Sequence, residues 1–223
     1  MQNTIKIAII GDFNFTYNAH HATNLSLEHT QLFLELDINH YWIRTQEAAS
    51  YNKSQFEEFD GIWIAPGPFS NLFFLQGILR TILTLKVPIF ITGEAYKEFM
   101  ESVAKLSDAS IGSEKIVSDN MVKGDVFETV EITPTTDEMK KFYFHHSKIE
   151  LSSCRFSTYP RLMPLLENLV EVLALNPFDD PEVIKMLPHP FCVVSMFCPQ
   201  ISSTRDMPHP LINYFIKACS EKI

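Results

Sequence analysis

"VPIFITGEAYKEF", residues 87–99, changes character at a single glycine. Val87 to Ile91 form a short apolar run of the kind that makes a strand buried on both faces. The run stops at Gly93 and turns at once into a helix that begins near Glu94. Many α/β enzymes mount a nucleophile on such a strand-to-helix corner. Here the corner carries neither Cys nor Ser.

Upstream, strand and helix signals alternate. "IKIAIIG" is a near-continuous apolar run ending at Gly11. "NAHHATNLSLEHTQLFLEL" follows as a helix, with Ala22, Leu25, Leu32, Phe33 and Leu36 roughly at helical spacing. "INHYWIR" and "FDGIWIAPG" read as two further strands, and "NLFFLQGILRTILTL" as the helix that leads into the strand at Val87. This βαβαβ order predicts a mainly parallel sheet covered by helices on both faces. Downstream, residues 107–133 break into short β-like pieces. "RLMPLLENLVEVLAL" reads as a helix with Pro164 in its first turn. "PEVIKML" and "FCVVSMF" read as strands joined by Pro188-His189-Pro190, and "HPLINYFIKACSEKI" as a closing helix.

The bulk composition agrees with one globular unit over residues 1–223. Apolar residues make up 46% of the 223 and charged residues 20%. A net charge of -9 with scattered Lys and Arg argues against a nucleic-acid or anionic-lipid face. No segment approaches the ~20 apolar residues of a membrane span, and the N-terminal run goes straight into a strand, unlike a signal peptide. Cys154, Cys192, Cys198 and Cys219 show no CxxC spacing, so reduced thiols in a cytoplasmic protein are expected. His20-His21 and His145-His146 are adjacent pairs without a zinc-type spacing, so neither a metal nor a cofactor is expected.

In open sheets of this kind, function collects at the C-terminal strand ends. Three such ends stand out: Pro66-Gly67-Pro68, Thr92-Gly93-Glu94 and Cys198-Pro199-Gln200. In that order, together with "NAHHATNLSLEH", "CRFSTYP", "HPFCVVSMFCPQ" and "HPLINYFIKA", they resemble the class I glutamine amidotransferases. The resemblance is nearest to the glutaminase domain at the C-terminus of CTP synthase and to free-standing bacterial proteins related to it. It implies a three-layer, flavodoxin- or Rossmann-like α/β fold with an extra antiparallel β region. It does not extend to a synthetase domain, so this chain alone is not expected to make CTP.

The resemblance also implies where a Cys-His-Glu triad would stand. Those positions hold Gly93, Cys198 and Gln200, which supply no thiolate at the corner, no imidazole and no carboxylate. Gly at residue 93 suits a corner that needs positive φ, since Gly adopts it without penalty. The oxyanion-loop position falls on Gly67 and Pro68, and Pro68 has no N–H to donate. Glu94 is either a routine first-turn carboxylate on the helix dipole or a charge aimed into the old active site. Arg155 falls where the family holds the substrate α-carboxylate, and Glu114 near where it reads the ammonium. As a residue alone, Arg155 serves equally well in a surface ion pair. The expectation is a catalytically degenerate, glutamine amidotransferase-like module that binds a small amino acid or carboxylate, a protein partner or another copy of itself. Altered hydrolase or transferase chemistry in the same cleft is the alternative, and retained glutamine hydrolysis is a third reading.

Overall fold

A computed structural model of the chain describes residues 4–107, 116–122 and 126–221. Glu114 lies outside these residues. The elements, in order, are β1 (Ile5–Ile10), α1 (Asn18–Leu34), β2 (Ile38–Ile43), α2 (Thr45–Ala48), α3 (Lys53–Phe56), β3 (Gly61–Ile64), α4 (Leu72–Ile82), β4 (Ile89–Thr92) and α5 (Ala95–Leu106). There follow β5 (Glu128–Glu131), β6 (Thr133–Pro134), α6 (Asp137–Phe142), β7 (Ile149–Ser152) and a 3-10 segment over Pro160–Leu166. β8 (Val170–Leu175), β9 (Pro181–Met186), β10 (Cys192–Ser195), α7 (Pro199–Ser202) and α8 (Pro210–Ser220) complete the chain.

One eight-stranded sheet has the order β2-β1-β3-β4-β10-β9-β8-β6. β2, β1, β3, β4 and β10 run parallel, whereas β9, β8 and β6 continue the sheet antiparallel. β5 and β7 form a separate antiparallel ribbon. This is the mainly parallel α/β architecture expected from the strand order, with its additional antiparallel region.

The central parallel strands β3, β4 and β10 are fully buried because both faces are covered, whereas the edge strand β2 leaves Asn39 and Tyr41 exposed. Successive residues alternate between two cores. Ile62, Ile64, Ile89 and Ile91 pack with Leu75, Ile78 and Leu79 of α4 and with Tyr96, Phe99 and Met100 of α5. Trp63, Phe90 and Val193 point the other way, onto Leu27 of α1 and onto Leu211, Phe215 and Ile216 of α8. Trp63 is fully buried and its indole N–H donates to the Thr92 hydroxyl at 3.1 Å, which meets its one polar requirement just before the corner.

Two sequence readings are corrected. The stretch from Arg161 to Leu175 is not one helix: the 3-10 turn ends at Leu166, and Val170–Leu175 is strand β8, paired with β9. Pro164 inside the turn removes a helical donor, and the "VEVLAL" alternation is satisfied by the sheet. In α1 the helix forms as expected, but Leu25, Leu32 and Phe33 are exposed. The buried face is Ala19, His20, Thr23, Ser26, Leu27 and Thr30; Thr23 Oγ1 donates to the Ala19 carbonyl and Ser26 Oγ to that of Thr23, while Thr30 Oγ1 donates across to Asn213 of α8.

Candidate functional site

The loop after β3 and the corner after β4 meet at the C-terminal edge of the sheet. Gly93 has φ +66 and its N–H donates to the Ser195 carbonyl at the end of β10, at 3.0 Å. A Cβ placed on Gly93 would lie 2.7 Å from both Cβ and O of Pro66, closer than side chains tolerate. Glycine is therefore required here by space as well as by φ. The next N–H, that of Glu94, donates to the Pro66 carbonyl at 3.0 Å.

The Pro66 loop is pinned from several directions. Gly67 has φ +93 and is followed by a cis bond to Pro68. His20, from the first turn of α1, is buried and places Nε2 2.8 Å from the Gly67 carbonyl. Its Nδ1 accepts from the Asn14 N–H at 2.9 Å, so the proton must sit on Nε2, which donates to Gly67. Burial holds the His20 pKa below its ordinary value, against the raising effect of the Gly67 carbonyl, and keeps the ring neutral. Asp12, beyond β1, accepts from the N–H and hydroxyl of Ser70 through Oδ2 and from the N–H of Thr45 through Oδ1. Burial opposes ionisation of Asp12, but these bonds outweigh it and leave the pKa below the usual value.

Beside the loop lies a hollow of about 110 Å3, walled by Tyr17, Gly67, Pro68, Phe127, Ser153 and Glu94. The Glu94 carboxylate packs over Gly67, with Oε2 2.8 Å from where a Gly67 Cβ would stand. Its side chain faces the hollow rather than the helix end alone. Burial raises the Glu94 pKa, and among the described residues it hydrogen-bonds neither a His nor a Cys. Cys198 is fully buried, with Sγ 3.5 Å from Ser153 Oγ. Burial pushes its thiol up to about 11, so it is neutral near pH 7 and is neither a thiolate nor a base. Gln200, 2% exposed, has no hydrogen-bond partner for either side-chain polar atom among the described residues.

The structure thus brings Gly67, Pro68 and Glu94 around one hollow. Gly93 lies against Pro66 and Cys198 against Ser153, both of which line it, and Gln200 is buried in α7. Arg155 lies elsewhere: it is exposed, with its guanidinium carbon 5.2 Å from the centre of the Phe178 ring, and lines a different cavity. The role of His20 is not legible in the sequence, where it stands as half of an adjacent pair with exposed His21. Nothing in a His-His dipeptide announces a carbonyl clamp. Among the described residues no group of three or more His, Cys, Asp or Glu could hold a metal, and no helix is long and apolar enough to cross a membrane.

No protein-family model matches the chain. Among solved structures, the glutaminase domain of Trypanosoma brucei CTPS with bound acivicin superposes with a TM-score of 0.79 at 17% identity, covering 98% of this chain and 95% of that one. A glutamine amidotransferase from Methylobacillus flagellatus gives 0.53 at 10% identity over 92% of this chain and 72% of that one. A ThuA-like protein from Bacteroides uniformis gives 0.61 at 10% over 96% and 91%. At these identities the likeness speaks to architecture. The chain has the fold of the class I glutamine amidotransferases, as seen in the glutaminase domain of CTP synthase.

Proposed function

We propose that this protein is a catalytically degenerate member of that fold, a binding or regulatory module that does not hydrolyse glutamine. The observation that carries the reading is the closure of the corner by Pro66. Its Cβ and carbonyl occupy the space a residue-93 side chain would need, and its carbonyl takes the Glu94 N–H. In amide hydrolysis by a nucleophile at such a corner, the N–H after the nucleophile helps hold the tetrahedral oxyanion. Here that donor is already bonded, and the neighbouring loop offers Pro68, which has none. The neutral Cys198 thiol and the Gln200 amide supply neither a general base nor a charge to orient one. Three separate requirements of the reaction are unmet by three separate changes.

The test is direct. Purified protein incubated with glutamine is expected to release no ammonia above a boiled control, and a glutamine-analogue electrophile is expected to leave its mass unchanged. Gly93→Cys is expected to remain inactive and to lose about 2–4 kcal/mol of stability, from the positive φ and the overlap with Pro66 together. Ammonia release by the wild type, or covalent capture at any residue lining the hollow, would overturn the reading.

A further inference from the structure

Away from the corner, a cavity of about 140 Å3 lies between the β5–β7 ribbon, the segment around Cys154 and Arg155, and the β8–β9 hairpin. Glu182 of β9 lines it and is 2% exposed. Its Oε1 accepts from Asn176 Nδ2 at 3.0 Å, whereas Oε2 has no hydrogen-bond partner among the described residues. A buried carboxylate left half-bonded is unfavourable unless something else supplies the missing donor. Burial pushes its pKa up to about 7, with the Asn176 bond opposing the rise.

The rim is built to hold one shape. Asn176 Oδ1 accepts from the N–H groups of Phe178 and Asp180, at 2.9 and 3.1 Å, which folds the hairpin loop back on itself. The Asp180 carboxylate ties that loop to the neighbouring segment by accepting from Thr158 N–H and Ser157 Oγ. Asp179 is held at φ +62, a conformation that a non-glycine residue keeps only when its surroundings impose it. The result is that Phe178 stands 72% exposed at the edge, with Arg155 against its ring. Glu128 and Glu131 of β5 line the cavity as well. Three carboxylates against one guanidinium favour a cation.

We propose that this cavity binds a small molecule through a primary ammonium group, which donates to Glu182 Oε2. An ammonium offers several donors and a compensating charge in one compact head. Arg155 at the rim would add a carboxylate anchor if the ligand is an amino acid. Gly67, Gly93 and Glu94 take no part in this cavity, so the proposal stands or falls independently of the closed corner.

The full chain at about pH 8, where Glu182 is ionised, is titrated with ethanolamine, glycine and tetramethylammonium, following both melting temperature and heat of binding. Ethanolamine, glycine or both are expected to bind and raise the melting temperature, while tetramethylammonium, which has no N–H, does not. Glu182→Gln keeps the acceptor for Asn176 and removes the buried charge, so it folds; it is expected to weaken binding by about tenfold or more. Arg155→Ala then separates the sources: loss of glycine binding with ethanolamine binding retained identifies an amino-acid ligand, and glycine binding that is unaffected by the change identifies a carboxylate-free amine. The absence of binding by both primary amines, or binding that survives Glu182→Gln, overturns the proposal.

Discussion

Single side chains carry most of the chemistry argued above, and Glu182 shows how their charge state reaches the whole protein. Its folded pKa of about 7 lies above the reference value of 4.5. The folded state therefore holds a proton that the unfolded chain has released across that interval. Its favourable share of stability is fully present below the unfolded value and is lost as pH rises to about 7. Glu182→Gln is expected to match wild type near pH 4 and to be more stable by up to about 3 kcal/mol near pH 8, read from urea midpoints at the two pH values. A stability difference independent of pH would contradict the buried, half-bonded carboxylate. At this scale the sequence was legible where backbone geometry alone dictates the residue, as at Gly93. It was mute on Glu182 and His20, because what matters for each is which of its two polar atoms finds a partner.

Elements were legible where one hydrophobic period dominates, and misleading where two elements share a stretch. The central parallel strands announced themselves as apolar runs, whereas edge strand β2, with Asn39 and His40, did so less plainly. β8 was hidden behind a proline-containing turn, because the apolar residues of a short turn and of a strand can mimic helical spacing when read together. α1 presents the opposite case, a helix found through residues that do not bury. Its inner face uses short polar side chains, Thr23 and Ser26 bonded to its own backbone and Thr30 to Asn213, with Leu27 as its one large buried aliphatic among the described residues. Leu32→Lys, at a position 55% exposed, is therefore expected to change stability by no more than about 0.5 kcal/mol. Leu27→Ala, at 1% exposure, is expected to cost about 2–5 kcal/mol by thermal or urea unfolding. Comparable losses at the two positions would mean that the outward leucines are covered.

For the molecule as a whole, topology was the most legible property, since strand order and the positions of three sharp corners restrict the possible sheets to very few. The cavity under Phe178 was not legible, because its walls come from segments more than fifty residues apart, from β5 to β9. The corners are coupled by Asp12, which joins the end of β1 to the start of α2 and to the loop beyond Pro68. Asp12→Ala is expected to cost about 1–2 kcal/mol, reduced where solvent screens the carboxylate, and to speed amide exchange around Ser70. Because the Asp12 pKa is depressed in the fold, its contribution is present above the unfolded value and lost as pH falls through the folded one. Wild type and variant should converge in strong acid.

The contact between Pro66 and Gly93 also gives the fold a direction of change. A loop resting directly on the bend makes any larger residue there harmful while the loop stays in place, so a side chain could be accommodated only after the loop had first retreated. Placing a reactive side chain at the bend would therefore need coordinated changes, the earliest of which gives up the bond between the Pro66 carbonyl and the Glu94 N–H.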